Sequence, residues 1–356
     1  MKDLDNTEKF LDFDKNKVYD SICSFAGQVK QAYEEIKNIK VPKSYLNAKN
    51  IVIAGMGGSA LGGRVVDSLI PQRVRVPVEV FTEFYIPNYV NKDSLVIISS
   101  YSGSTQETLR DINEAIKRQA KIFVITTGGE LEEIATKENI PSYIFNPINN
   151  PSGQPRLALG YSVTAIMAFL SKCDYIHLSD EEISEVVSFI ENLIKDYSRE
   201  KADHENLAKK LAVELTGFLP VIVSSEHLIG SCYAFKNQLN ETAKTFAVLF
   251  DIPELNHHLL EGLKNPTRLR NILKFLVVES NLFSREVSRR YSVTKDVISK
   301  NGYPVLTYET LGKNKILQVF EVIVLSYFVA YYLAFIYGED PSKIPWVDYF
   351  KEKLRE

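Results

Sequence analysis

A chain of 356 residues with 45% apolar side chains has material for one large or two medium globular domains. Its formal charge of −3 gives none of the basic excess that marks nucleic-acid binding, and its three cysteines (Cys23, Cys173, Cys232) fall at no metal-ligand or disulfide-framework spacing. The charged opening MKDLDNTEKFLDFDK has no apolar signal core, and no apolar run reaches the ~20 residues of a membrane span, so a cytoplasmic chain is expected.

Apolar runs bounded by turn residues alternate with helical patterns, which predicts parallel sheets built from repeated βα units. In the first half, strands are expected at Asn50–Gly55, Val78–Thr82, Ser94–Ser99, Lys121–Thr126 and Ser142–Asn146. A loop, NPINNPSGQPR, leads into a helix expected over Leu157–Leu170. The charged stretch Asp180–Leu215 has helical but no strand character and is expected to connect the halves. Strands resume at Leu219–Ser224, Thr245–Phe250, Ile272–Glu279 and Pro304–Tyr308, before helices that include the apolar Val319–Tyr337. Glu321 and several tyrosines within that last run favour a buried helix. The expected organisation is a helical extension over 1–45, a first domain over 46–175, a helical connector over 176–215 and a second domain over 216–356.

The two halves repeat one plan. NIVIAGMGGSALGGRVVDSL and LPVIVSSEHLIGSCYAFKNQL both read as strand, polar loop and helix, but only the first keeps a glycine-rich loop. At the ends of two expected strands sit GMGGSALGG (Gly55–Gly63) and SYSGST (Ser100–Thr105), each followed by a helix. Ligands of parallel α/β sheets bind at such strand ends, and helix N-termini offer free N–H groups to anions. Glycines admit the ligand to the backbone, and hydroxyls bond it without adding charge. One such loop alone also reads as an N-cap cluster. Two of them at adjacent strand ends favour a phosphate monoester. The segment Gly55–Ala60 also matches the dinucleotide pattern G-x-G-x-x-A, with Glu83 some 26 residues past Gly57, but that reading leaves SYSGST without a role.

Gly57-Gly58-Ser59 followed by Ser100-Tyr-Ser102-Gly-Ser-Thr105-Gln-Glu-Thr resembles the sugar isomerase domain, whose loops hold the phosphate of a phosphosugar. Ser104 stands where the family more often has Asn. The resemblance implies that Gly57, Gly58, Ser59, Ser100, Ser102 and Thr105 bind the phosphate. It implies an α/β fold of two sugar isomerase domains, each a parallel sheet between helices, a flavodoxin-like three-layer sandwich.

Aldose–ketose isomerisation needs a base at C2, help with ring opening and a donor facing the enediolate oxygen. Glu241, at the end of a helical stretch, and the tandem His257 and His258 after Asn256 are candidates, although each also reads as an ordinary helix-end or capping residue. Adjacent helical residues point about 100° apart, which disfavours a metal pair. KNQLNETAK, PELNHH, QPRLALGYS and the C-terminal VDYFKEKL are similar to the bifunctional phosphoglucose/phosphomannose isomerases. That resemblance implies Glu241 as proton shuttle, Arg156 as the cation beside the enediolate, and His257 and Lys351 as ring-opening groups, with His257 supplied by a second copy in a homodimer. It implies no metal and no redox cofactor. The chain departs from the family at Ala234-Phe235-Lys236 (RWK), Ser342 (Thr) and Ser326 (Asp), which bears on mannose recognition. A sugar-phosphate sensor without chemistry and an amino-sugar phosphate isomerase are the rival readings.

Overall fold

The computed structural model describes residues 4–354. Three helices precede the first strand: α1 (Thr7–Phe13), α2 (Val18–Cys23) and α3 (Phe25–Lys37). The first sheet comprises β1 (Asn50–Gly55), β2 (Val78–Phe81), β3 (Ser94–Ser99), β4 (Lys121–Thr126) and β5 (Ser142–Ile144). They are parallel and ordered β2-β1-β3-β4-β5. Helices α4 (Gly57–Leu69), α5 (Gln106–Lys117) and α6 (Gly129–Lys137) cross between them, and α7 (Leu159–Lys172) closes the unit against α3 and α4. β1 and β3 are apolar almost throughout because helices cover both faces of the sheet, leaving no solvated side to alternate toward.

Helices α8 (Asp180–Tyr197) and α9 (Leu207–Leu215) lead to β6 (Leu219–Ser224). The second sheet adds β7 (Val248–Asp251), β8 (Leu273–Glu279) and β9 (Val305–Glu309), parallel and ordered β7-β6-β8-β9. Its helices are α10 (Ile229–Glu241), α11 (Leu255–Gly262), α12 (Arg285–Lys300), α13 (Lys315–Tyr337) and α14 (Pro345–Lys353).

The halves meet where α10 crosses α4. A Cβ on Gly230 would lie 2.5 Å from the Val65 Cα and closer still to the Arg64 carbonyl oxygen, so only glycine lets the two backbones approach this closely. The 23-residue α13 runs through the core against α8, α9 and α10. It is longer than the Val319–Tyr337 run suggested and long enough to cross a membrane, but 94% of its apolar window is buried inside the protein. Its Glu321 carboxylate accepts from the N–H groups of Leu311 and Gly312 at 2.8 Å and from the Tyr308 hydroxyl, which satisfies a buried carboxyl. Phe10 of α1 stacks on Phe335 at 4.0 Å, fastening the N-terminal helices to this core.

Several expected boundaries move, three of them for reasons visible in the hydrogen bonding. The helix at Leu157 begins at Leu159, because Pro155–Leu157 forms a tighter 3₁₀ turn. The stretch Asp180–Leu215 breaks between Ser198 and Asn206. There the buried Lys209 ammonium draws in the carbonyls of Arg199 and Lys201, at 3.1 and 2.8 Å, with Asp5 and Asp203 each at 3.1 Å. The strand expected at Thr245 begins at Val248, because the Thr245 N–H bonds back to the Leu239 carbonyl at 2.9 Å and continues the turn that ends α10.

Candidate active site

The loop geometry follows from register. Residues Asn50–Gly55 of β1 pair in step with Ser94–Ser99 of β3, so both strands end level and deliver their loops side by side. Ser59 Oγ accepts from the Tyr101 N–H at 2.9 Å, which ties the two loops together. Ser100 is buried, its hydroxyl 3.0 Å from that of Thr105, while Ser102 and Ser104 are exposed. Neither Met56 at the start of α4 nor Thr105 at the start of α5 makes a side-chain cap. Neither helix start is therefore closed by a side-chain cap from its N-cap residue, although the Ser59 N–H bonds back to the Met56 carbonyl at 3.0 Å.

The loops reach the second candidate cluster through Gly58. A Cβ there would lie 3.0 Å from the Arg156 nitrogen and 3.1 Å from the Pro155 carbonyl carbon, so the start of α4 packs directly on the Pro155-Arg156 backbone. Arg156 is 2% exposed, and four hydrogen bonds hold its guanidinium. Its Nε donates to Thr242 Oγ1 at 3.2 Å, Nη1 to Gln154 Oε1 at 2.8 Å, and Nη2 to the carbonyls of Pro341 and Ser342 at 2.7 and 2.9 Å. Its own carbonyl accepts from Gln238 Nε2 at 2.8 Å and from the Tyr327 hydroxyl at 3.3 Å. The guanidinium is fixed in place by its own fork of donors.

Glu241 Oε2 lies 3.9 Å from Arg156 Nη1. Gln238, Glu241 and Thr242 stand at i, i+3 and i+4 on the last turns of α10 and share the face that meets Arg156. Burial pushes the Glu241 carboxyl above its ordinary value, against the opposing attraction of Arg156, Lys351 and Lys244. Burial likewise lowers Arg156, with Glu241 and Asp340 opposing. A carboxyl of raised pKa beside a fixed cation is an arrangement suited to proton transfer.

Of the residues singled out in the sequence, the structure thus brings Arg156 and Glu241 together, packs Gly58 on the Arg156 backbone, and ties the Ser100–Thr105 loop to Ser59 through the Tyr101 N–H. Lys351, exposed on α14, acts on Glu241 through its charge. His257 is exposed on α11, and among the described residues its ring makes no hydrogen bond or ion pair within the chain. Ser326 turns away into its own helix, donating to the Ile323 carbonyl at 2.7 Å. Sequence reasoning missed Gln154, Gln238, Thr242 and the carbonyls of Pro341 and Ser342. The helical spacing of Gln238 and Thr242 around Glu241 could have revealed two of them.

Two parallel sheets, each flanked by helices, are the architecture of two sugar isomerase domains. A family model described as "SIS domain" matches residues 44–171, and one described as "Bacterial phospho-glucose isomerase C-terminal SIS domain" matches residues 204–354. A bifunctional phosphoglucose/phosphomannose isomerase of Caldicellulosiruptor bescii is 33% identical over 343 residues, covering 95% of this chain and 99% of the relative. One of Aquifex aeolicus, with the same name, is 29% identical over 91% of this chain and 96% of its own length. The crystal structure of a hypothetical protein from Thermus thermophilus superposes with a TM-score of 0.71 at 15% identity, over 95% of this chain and 89% of that one. The chain belongs to the bifunctional phosphoglucose/phosphomannose isomerase family and is a sugar-phosphate isomerase.

Proposed function

We propose that the protein interconverts glucose 6-phosphate, fructose 6-phosphate and mannose 6-phosphate through an enediol. The observation that carries this reading is the Glu241–Arg156 pair, 3.9 Å apart, with the Arg156 backbone packed on Gly58 of the first loop. The loops at 57–59 and 100–105 hold the phosphate, and that remote binding positions C1 and C2. Glu241 takes the proton from C2 of the open-chain aldose. The C2–H electron pair becomes the C1=C2 bond, and the carbonyl electrons move onto O1. Arg156 faces the negative oxygen. Glu241 then returns its proton to C1, while the O2 proton is transferred to O1 and C2 becomes the carbonyl. No net oxidation occurs.

Glucose and mannose differ only at C2, which is planar in the enediol. Reprotonation of C2 from either face gives either epimer, so one base serves both sugars if the site admits both faces. Lys351 and the His257 of a second copy assist ring opening. The exposure of His257 and of Trp346 and Phe350 on α14, which are 82% and 61% accessible, supports a homodimer that covers them. Cytoplasmic residence belongs to the same proposal.

The test is isomerisation of fructose 6-phosphate in deuterated water, followed by proton NMR of the aldose products. The enediol route predicts deuterium at C2 of both glucose 6-phosphate and mannose 6-phosphate. Formation of glucose 6-phosphate alone would restrict the substrate range. Full protium at C2 would replace the exchanging enediol by direct hydride transfer or by a base fully shielded from solvent.

A further inference from the structure

We propose that Lys244 is a positioning residue: its ammonium clamps the segment 340–342 to the end of α10 and holds Glu241 and Arg156 in working register. This inference rests on Glu241 acting as the base. Lys244 belongs to the stretch KNQLNETAK, but neither the phosphate loops nor the proton transfer gives it a role.

The geometry is specific. Lys244 adopts a left-handed backbone, φ 51°, just past the end of α10. Its Nζ donates to the Thr242 carbonyl at 3.1 Å and to the Asp340 carbonyl. Thr242 is the residue whose hydroxyl accepts from Arg156 Nε, and Pro341 and Ser342 are the residues whose carbonyls accept from Arg156 Nη2. One segment, 340–342, is therefore gripped by two cations from different parts of the chain. It leads into α14, which carries Lys351. Lys244 as a whole is exposed, but its ammonium sits between two carbonyls.

The charges around it come from every neighbouring segment. Arg156 repels it, and Asp340, Glu339 and Glu241 attract it. Lys343 draws on Asp340 Oδ2 at 3.5 Å, and Lys351 shares with Lys244 and Arg156 the attraction of Glu241. Burial and repulsion from Arg156 bring Lys244 down to about 8, so it is charged at neutral pH and loses its charge as pH rises through that value. While charged it favours the ionised form of Glu241, the form a base requires.

The test compares Lys244→Met and Lys244→Arg with the unaltered chain. Three quantities are read: kcat and KM for fructose 6-phosphate from pH 5.5 to 9.5, thermal melting, and the carboxyl-carbon NMR titration of Glu241 assigned with Glu241→Gln. Lys244→Met is expected to lower kcat about tenfold at pH 6 and less at pH 8, with KM within about twofold. Its Glu241 resonance titrates at higher pH. Lys244→Arg restores both and keeps its activity above pH 8. Lys244→Gln replaces Lys244→Met if the latter does not fold. An unshifted Glu241 titration, or a loss of rate equal at every pH, overturns the proposal. An unaltered chain that turns over no hexose 6-phosphate overturns the proposed reaction instead, and the Glu241 titration still decides whether Lys244 acts on that carboxyl.

Discussion

Glu241 and Arg156 lie 3.9 Å apart although one comes from the second parallel sheet's first helix and the other from the loop that ends the first sheet. Neither half of the chain contains the pair by itself. The contact is made by the last turns of α10, which present Gln238, Glu241 and Thr242 to the Pro155–Leu157 turn, while the start of α4 supports that turn from beneath Gly58.

Arg156→Lys should cost more than a conservative change. A lysine ammonium is a point donor and cannot reach Thr242, Gln154, Pro341 and Ser342 together, so buried acceptors lose their partner. We expect kcat to fall about 100-fold and stability to fall by about 2–4 kcal/mol. Steady-state kinetics and chemical denaturation measure the two effects. Unchanged kcat would remove Arg156 from the reaction.

Gly230→Ala tests how the halves are held. The added methyl meets the Val65 Cα at 2.5 Å and the Arg64 carbonyl carbon at 2.7 Å, which neither helix can yield without moving. The expected cost is about 1–3 kcal/mol, together with a lower kcat as α10 carries Glu241 away from Arg156. Denaturation and activity measured on the same preparation check this, and an unaltered melt would show that α4 and α10 separate easily.

Asp111, on α5, is 2% exposed and its Oδ1 has no hydrogen-bond partner among the described residues. Its carboxyl is pushed up to about 7 by burial first and Glu107 second, with Arg110 opposing. The folded chain therefore keeps a proton that the unfolded chain releases at the ordinary carboxylate pKa. The associated stability is complete below about pH 4 and is lost as pH rises through about 7. Asp111→Asn should raise the melting temperature at pH 8 and give little gain near pH 4. Equal gains at both pH values would mean that the carboxyl does not titrate in the fold.

Mixing two inactive variants tests the proposal that two copies share each site. In a heterodimer of Glu241→Gln with His257→Ala, one site carries both lesions and the other neither. Random re-association of equal amounts should restore about a quarter of the unaltered activity. No recovery from folded, dimeric mixtures would place His257 in the site of its own chain, or outside the reaction.

Much of the frame was legible because buried parallel strands are continuous apolar runs: β1, β3, β4 and β6 begin and end where the sequence predicts. The edge strands β2, β5 and β7 are shorter than predicted. An edge strand is delimited by the partner it pairs with, and β7 pairs only Val248–Asp251 with Val221–Ser224. The break at Ser198–Asn206 was hidden because its cause is one buried ammonium, Lys209, reaching distant carbonyls. At the site, Glu241 was a candidate from its place at a helix end, and the family resemblance singled out Arg156 and the role of Glu241. The groups that hold Arg156, from Gln154 to Ser342, include backbone carbonyls, and no side-chain pattern announces those. Lys244 stood inside a recognised stretch, but its partner Asp340 is 96 positions away.

The most direct measurement is the turnover of fructose 6-phosphate by the unaltered chain and by Glu241→Gln, with phosphosugar affinity determined for both by calorimetry. The structure predicts turnover by the first, a loss of about 1,000-fold or more in kcat by the second, and similar affinity. A Glu241→Gln chain that keeps half the rate would contradict it and place the base elsewhere.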